Sequence, residues 1–360
     1  MSKHTFFPSF TIGDDAFDEI PAVCRRCGKT AVLIGGRTAL SKVEEGLRAV
    51  LTQNGFELTK VLWFGGDSTL ENVDLLLQDP AVQQADMIFG AGGGRALDTT
   101  KMTAHALQKP FFTLPTIAST CAACTSLGVQ YHPDGSFRGV HISDYPANHI
   151  FIRPQIIADA PIEFLWAGLG DTMAKYYESI VSTRLLALDH SDALGVTISR
   201  MSAEPLFTYG AQALQDAREH RVTHALEQTI LAVIVSTGLV SNLAEHDYNT
   251  GLAHAMYFGL VALGHEIPHH LHGEIVGYGI LPLLMLDKQT EEFERVYRFN
   301  QSIGLPTCLA EMDVRTPEHI DRVIRTAAAT PDILIWPYKV TEDMVRDAVM
   351  AVEEYHKQHS

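Results

Sequence analysis

The sequence predicts an α/β domain with a parallel sheet, followed by an all-helical domain. In the first 160 residues, short apolar runs alternate with stretches of helical periodicity, which is the pattern of βαβ units. After about residue 160, glycines become rarer and long helical periods take over. The chain has 360 residues, of which 46% are hydrophobic, enough for two domains with sizeable cores. We therefore expect an α/β domain over residues 1–160 and a helical domain over residues 161–360.

The predicted elements of the first domain follow from apolar runs and helical spacing. Ser41 is a good N-cap candidate, with Glu44 at the capping-box position. Strands are predicted at 30–34, 58–64, 86–89 and 111–114. Helices are predicted at 14–27, 41–51, 70–77 and 95–107.

The second domain shows only helical periods. They predict helices at 164–186, 192–215, 224–244, 251–263, 274–286, 291–299, 318–328 and 342–356.

Composition limits the partners and the compartment. Lys+Arg total 27 and Asp+Glu total 43, so the net charge is −16, which argues against nucleic acid or an anionic membrane as the main partner. The start lacks the pattern of a signal peptide, and the longest apolar stretch, 230–235, is far too short to span a bilayer. An odd number of cysteines, five, fits a reducing compartment. We expect a cytoplasmic protein that acts on a small molecule.

A glycine-rich turn follows the predicted strand at 86–89. Gly92, Gly93 and Gly94 lie between this strand and a predicted helix, in the geometry that places a phosphate on a helix N-terminus. The segment is a near miss to the G-x-G-x-x-G pattern, because Arg95 stands at its last position. The residues alone are equally consistent with phosphate binding and with an ordinary βα turn.

Three residues of the helical region are candidate metal ligands. Asp171, His254 and His272 each lie in or next to an apolar helical stretch. One carboxylate and two imidazoles form a typical ligand set for Zn²⁺ or Fe²⁺ with a position left for substrate. Each residue taken alone could be structural, and other histidines compete for the role: His246, His265, His269 and His270. Cys24-x-x-Cys27 and Cys121-x-x-Cys124 lie too far apart in the chain for a zinc module.

Five motifs together resemble the iron-containing alcohol dehydrogenase and glycerol dehydrogenase superfamily. The similarity is greatest to its glycerol-dehydrogenase-like branch, which includes hydroxycarboxylate dehydrogenases. In chain order, the motifs are Gly92-Gly93-Gly94-Arg-Ala-Leu-Asp98-Thr-Thr-Lys101, Pro115-Thr116-Ile-Ala-Ser119-Thr120, Gly170-Asp171-Thr-Met-Ala-Lys175, Ala253-His254-Ala-Met256 and His272-Gly273-Glu274-x-Val-x-Tyr-Gly279.

The resemblance implies a dehydroquinate-synthase-like architecture and a metal-dependent NAD(P) dehydrogenase with its active site between two domains. Asp171, His254 and His272 would hold one divalent ion, zinc or iron, which lowers the pKa of the substrate alcohol so that its carbon can pass a hydride to the nicotinamide. Residues at the family's cofactor-contact positions are Gly92, Gly93, Gly94, Arg95, Asp98, Lys101, Thr116, Ser119, Thr125, Leu127 and Tyr131. The family usually forms homo-oligomers.

Two departures from the family pattern bear on specificity. After the first strand, many NAD-using members carry an acidic residue, but this chain has Gly35-Gly36-Arg37, and Arg37 could pair with the 2′-phosphate of NADP. Glycerol dehydrogenases carry an Asp that binds the polyol where this chain has Cys121. The residues therefore predict a short 2-oxo or 2-hydroxy acid as substrate with NADP or NAD, and glycerol or a small diol is the alternative. A lyase similar to dehydroquinate synthase is less consistent with the sequence, because few basic residues lie near the candidate ligands to bind a phosphorylated substrate. A catalytically inactive scaffold is less consistent with the complete set of ligands.

Overall fold

The computed structural model describes residues 6–359 and contains eight strands in that range. In chain order, the strands are β1 (Ser9–Ile12), β2 (Thr30–Gly35), β3 (Glu57–Trp63), β4 (Met87–Gly92), β5 (Phe111–Pro115), β6 (Leu127–Tyr131), β7 (Phe137–Ile142) and β8 (His149–Ile152).

Sixteen α-helices occur in the same range of residues. They are α1 (Ile20–Cys24), α2 (Arg37–Gln53), α3 (Leu70–Leu77), α4 (Pro80–Gln84), α5 (Gly94–Ala106), α6 (Pro154–Ala158), α7 (Ile162–Thr183), α8 (His190–Ser199), α9 (Ala211–Arg218), α10 (His224–Leu231), α11 (Thr237–Leu243), α12 (Leu252–Val261), α13 (His272–Leu286), α14 (Thr290–Ile303), α15 (Pro317–Ala329) and α16 (Glu342–His359).

Six strands form one parallel sheet in the order β1-β8-β5-β4-β2-β3. Side chains of β2 alternate between two apolar cores: Leu33 packs with α2 on one face, and Ile34 packs on the other. Both faces are covered, as parallel sheets require. The predicted architecture, a parallel α/β sheet and a largely helical remainder, is confirmed.

Several local predictions differ from the structure. Helix α2 begins at Arg37 with Gly36 as its N-cap, so the prediction that Ser41 caps this helix is wrong. The Ser41 hydroxyl instead donates to the carbonyl of Thr38. Strands β1, β6, β7 and β8 were not predicted, and the period at 192–215 is broken into α8, a short 3₁₀ turn, a π-helical turn and α9.

The chain folds as two compact units. The first contains the residues up to Ile162 together with Asp216–Asn242, and the second contains Glu163–Gln215 and the residues from Leu243 onward. The expected boundary lies at residue 160. The first unit contains residues on both sides of it, because the helical segment Asp216–Asn242 belongs to this unit.

One helical run is long and apolar enough to cross a membrane by length and composition. This run, His224–Leu243, consists of α10, a π-helical turn and α11, and 61% of its most apolar window is buried inside the protein. Such burial is typical of a core helix in a folded domain.

Candidate functional site

The three predicted metal ligands lie together in the second unit. Asp171 is on α7, His254 is on α12, and His272 is the first residue of α13. Oδ1 of Asp171 is 3.6 Å from Nε2 of His254 and 3.2 Å from Nε2 of His272. One ligand atom from each residue lies within 4.8 Å of the others. We refer to these three residues as the Asp171 cluster.

Glycines allow the backbones of these helices to approach closely. A Cβ on Gly170 would lie 2.1 Å from the carbonyl oxygen of Gly273, and a Cβ on Gly273 would lie 1.9 Å from that of Ala167. On the other side of α13, a Cβ on Gly279 would lie 2.5 Å from the carbonyl oxygen of Ala253. Gly170 precedes Asp171, Gly273 follows His272, and Ala253 precedes His254. The close approach of the helices at these small residues therefore brings the three candidate ligands together.

A fourth residue, Glu178, orients His254. Its carboxylate accepts hydrogen bonds from Nδ1 of His254 at 2.6 Å and from the backbone N–H of His254 at 3.0 Å. The side chain of Glu178 is fully buried. With Nδ1 bonded to a carboxylate, Nε2 is the nitrogen left for a metal, which is the usual arrangement around metal-binding histidines. Glu178 was not predicted from the sequence, although it lies seven residues after Asp171 and therefore on the same helix face.

The electrostatics of the cluster favour a cation. Burial would raise the pKa of Asp171, but hydrogen bonds to His254 and His272 outweigh burial and hold it well below its usual range. Burial would lower the pKa of His254, but the carboxylates of Glu178 and Asp171 raise it to about 10. The negative charge of two buried carboxylates thus dominates the site.

The donor set fits a divalent metal with an open coordination position. One carboxylate oxygen and two imidazole nitrogens match zinc and iron sites, in which substrate or water completes the shell. The side chain of His272 is 38% exposed, against 13% for each of the other two, so the cluster is accessible from this side. Within residues 6–359, none of the competing histidines joins this cluster: His246, His265, His269 and His270.

The glycine turn lies in the first unit, at the carboxyl end of β4. Strand β2 neighbours β3 on one side and β4 on the other, so the chain reverses its direction of travel across the sheet between β2 and β4. Open parallel sheets bind ligands at such a point. The two loops that leave it are Gly35-Gly36-Arg37 and Gly92-Gly93-Gly94, both singled out from the sequence.

Glycine is required in the second loop for conformation and for space. Gly92 has φ +144°, and a Cβ there would lie 2.9 Å from Cβ of Ala96. A Cβ on Gly93 would lie 2.4 Å from Cδ1 of Ile117. Gly93 is also the N-cap of α5 and offers no capping side chain, so backbone N–H groups of the first turn remain available to an anion. The turn therefore has the shape of a phosphate cradle.

Asp98 and Lys101 make a contact that the sequence did not suggest. They form a buried ion pair, with 3.0 Å between Nζ and Oδ1. Lys101 also donates to the carbonyl of Leu127, and Asp98 accepts from the backbone N–H of Val129 at 3.0 Å. Strands β6 and β7 pair with each other as an antiparallel hairpin, and the ion pair connects this hairpin to α5.

The remaining predicted cofactor and substrate residues also lie in the first unit. The backbone N–H of Thr116 donates to the carbonyl of Gly92 at 3.2 Å. The guanidinium of Arg95 lies 5.0 Å from the ring centroid of Tyr131. Sγ of Cys121 is half-buried and lies 3.9 Å from Oγ of Ser241. Ser119 and Thr125 lie in the loop between β5 and β6, which leads to Leu127.

Comparison with known proteins places the chain in a family. The family model of the iron-containing alcohol dehydrogenases matches residues 8–151. The crystal structure of glycerol dehydrogenase from Schizosaccharomyces pombe superposes with a TM-score of 0.87 and 29% identity, covering 99% of this chain and 92% of that chain. Glycerol dehydrogenase from Thermotoga maritima is 34% identical over 301 residues, 81% of each chain. The chain belongs to the iron-containing alcohol dehydrogenase family. Hydroxycarboxylate dehydrogenase A from Escherichia coli K12 is 32% identical over 329 residues, 90% of each chain.

Membership confirms the resemblance seen in the five motifs. Similar members of the iron-containing alcohol dehydrogenase family are named as glycerol and hydroxycarboxylate dehydrogenases. The predicted reaction class, oxidation and reduction at a CH–OH group, is therefore confirmed.

Proposed function

We propose that this protein transfers a hydride between a nicotinamide cofactor and a short 2-oxo or 2-hydroxy acid, using one divalent ion held by the Asp171 cluster. The observation that carries this proposal is the convergence of Asp171, His254 and His272, with Glu178 fixing the ligating nitrogen of His254. Zinc and iron both suit this donor set.

Residues of the second unit would hold the ion, and residues of the first unit would bind the cofactor. When bound, the ion supplies Lewis-acid polarisation of the substrate oxygen, and the nicotinamide supplies or accepts the hydride. Asp171 contributes the negative charge that retains the ion, and Glu178 keeps His254 in the orientation that ligation needs. The exposed side of His272 leaves room for a substrate to reach the cluster. The N-terminal turn of α5 would bind the pyrophosphate of the cofactor.

Arg37 supports use of NADP(H). It is the first residue of α2, and its guanidinium lies 4.5 Å from the ring centroid of Trp63. Stacking on an aromatic ring holds the planar guanidinium in place for a bidentate contact with a phosphate. No carboxylate in Gly35-Gly36-Arg37 would repel that phosphate.

We expect Arg37→Ala to lower kcat/KM for NADPH by about tenfold and to leave NADH nearly unchanged, since one charge-assisted contact is worth about 1.5 kcal/mol or more. Lys42→Ala is the matched control, because Lys42 is an exposed cation on the same helix. The measurement is steady-state kinetics with both cofactors. A strong preference of the wild type for NADH that Arg37→Ala does not change would rule out the role of Arg37.

Cys121 supports an acid substrate. A thiol is a weak hydrogen-bond acceptor, so it cannot replace the Asp that binds polyol hydroxyls in glycerol dehydrogenases. It also removes a negative charge that would oppose a substrate carboxylate. Two like charges about 4 Å apart at an effective dielectric constant near 20 repel by about 4 kcal/mol. A short 2-oxo acid such as 2-oxobutanoate therefore suits this position better than glycerol does.

The substitution Cys121→Asp should reverse that preference. We expect the ratio of kcat/KM for 2-oxobutanoate reduction to kcat/KM for glycerol oxidation to fall about 10- to 100-fold, because solvent screens part of the repulsion. Cys121→Ser, which is neutral and similar in size, should leave the ratio within a few-fold. An acid substrate is ruled out if the wild type prefers glycerol and Cys121→Asp leaves the ratio unchanged.

Glycerol and small diols are the alternative substrates, because similar members of the family are named glycerol dehydrogenases. The whole proposal is tested by assaying 2-oxobutanoate, glycerol and small diols with both nicotinamide cofactors, each after loading with Zn²⁺ or Fe²⁺. Turnover of the acid with a metal-loaded enzyme supports it. Oxidation of glycerol or a small diol without any reduction of 2-oxobutanoate would favour the alternative substrates.

A further inference from the structure

A second group of metal-binding side chains lies in the second unit. Cys308, Glu311 and His356 each offer one ligand atom, and these atoms lie within 4.8 Å of one another. Cys308 is 5% exposed and is the N-cap of a 3₁₀ turn, Leu309–Met312, that carries Glu311. His356 comes from α16. We refer to these three residues as the Cys308 cluster.

Hydrogen bonds already orient two of these ligands. Oε2 of Glu311 accepts from the backbone N–H of Thr307 at 2.7 Å and from its hydroxyl at 3.3 Å. Nδ1 of His356 lies 3.0 Å from the Thr307 hydroxyl and 3.1 Å from the Tyr297 hydroxyl. Among the contacts of residues 6–359, this leaves Oε1 of Glu311 and Nε2 of His356 available. Metal-binding side chains are usually held in this way through the atom that does not bind the metal.

The surroundings of Cys308 favour a cation. The carboxylates of Glu311 and Glu353 both lie close enough to its thiol to act on it through their charge. The carboxylate of Glu353 is fixed by the backbone N–H of Leu309 at 2.9 Å and the hydroxyl of Tyr278 at 3.0 Å. A metal ion would offset this concentration of negative charge and stabilise the thiolate.

A cavity of about 450 Å³ adjoins the cluster, and its lining includes Glu311, His356 and Thr307. The cavity gives an ion access to the cluster and leaves space for a water molecule as the fourth ligand.

We propose that Cys308, Glu311 and His356 form a second divalent-metal site that binds Zn²⁺. One sulfur, one nitrogen and one oxygen are all common zinc ligands. Around a tetrahedral zinc ion with bonds of about 2.0–2.3 Å, ligand atoms stand about 3.3–3.6 Å apart. One ligand atom from each of the three residues already lies within 4.8 Å of the others, so this set needs to close by at most about 1.5 Å. Small shifts of the side chains of Glu311, which is exposed, and of His356, which is half-buried, would close this gap.

Cobalt distinguishes this site from the Asp171 cluster, because only this one contains a thiol. Co²⁺ added to the full-length protein under reducing conditions should bind with two equivalents and give a thiolate-to-cobalt charge-transfer band. In Cys308→Ser the band and one equivalent should disappear. In His254→Ala one equivalent should also disappear, but the band should remain. Cys27→Ser is the control, because Cys27 lies in the first unit outside both clusters and should keep two equivalents and the band.

Two further variants keep the test independent of the folding of Cys308→Ser. His356→Gln should abolish the band. Thr307→Val removes a hydroxyl that orients two ligands, and it should weaken Co²⁺ and Zn²⁺ at this site by about 10- to 100-fold. Binding of only one equivalent by wild type without a charge-transfer band would overturn the proposal, as would a band that persists in folded Cys308→Ser or His356→Gln.

Discussion

His254→Ala should lose the metal of the Asp171 cluster and nearly all turnover. The substitution removes one of the three proposed ligands and leaves the fully buried carboxylate of Glu178 without its imidazole partner. Lewis-acid stabilisation by a bound ion is worth several kcal/mol, and each 1.4 kcal/mol or so is a factor of ten in rate. We therefore expect kcat/KM to fall on the order of 1,000-fold or more. The metal content should be measured in a Cys308→Ser background, so that only the Asp171 cluster is counted.

His269→Ala is the matched control for this loss. His269 is an exposed histidine in the segment between α12 and α13, and it was one of the candidates that competed for the ligand role in the sequence. This variant should keep its metal and its activity. Full metal occupancy in folded His254→Ala would disprove the assignment of His254 as a ligand, whatever the activity of the variant.

The central strands were predictable because local sequence determines them. Strands β2, β4 and β5 are buried on both faces, and each reads as a continuous apolar run next to glycine or polar residues. Strands β1 and β8 depend on a partner far away in the chain. The imidazole of His149 is buried in β8 and bonds to the hydroxyls of Ser9 at 2.6 Å and Thr11 at 2.8 Å. Nothing near His149 in the sequence indicates that these partners satisfy it.

In the candidate site, too, some features follow from the local sequence and others depend on residues far away in the chain. Asp171, His254 and His272 were identified because each stands in a recognisable motif. The contacts that bring them together, between glycines of α7 and α13, join residues about a hundred positions apart. Glu178 is an intermediate case. Its spacing from Asp171 predicts a shared helix face, but its partner His254 is 76 residues away and only the fold reveals it.

The buried ion pair of Asp98 and Lys101 also has hydrogen-bond partners that the local sequence does not indicate. Asp98 and Lys101 were expected near the cofactor because they belong to the glycine motif. Three residues apart on α5, they can pair with each other, and the hairpin that completes their hydrogen bonds begins 26 residues after Lys101. Asp98 and Lys101 would therefore contribute to a cofactor site indirectly, by holding Leu127 and Val129 in position.

Glu178→Gln should weaken metal binding at the Asp171 cluster by about 10- to 100-fold, the usual effect of losing a group that orients a ligand. The carboxylate accepts from two donors of His254, whereas an amide offers one acceptor oxygen, so one donor would lose its partner. The variant also loses a negative charge close to the ion. Because all three proposed ligands remain, saturating metal should restore much of kcat, unlike in His254→Ala. Metal titration followed by activity at each concentration separates the two cases.

Glu292→Gln is the control, because it alters a hydrogen bond of equal length, 2.6 Å, to the neighbouring Tyr177 without touching His254. Unchanged metal affinity in Glu178→Gln would show that the fold alone fixes His254 for its role.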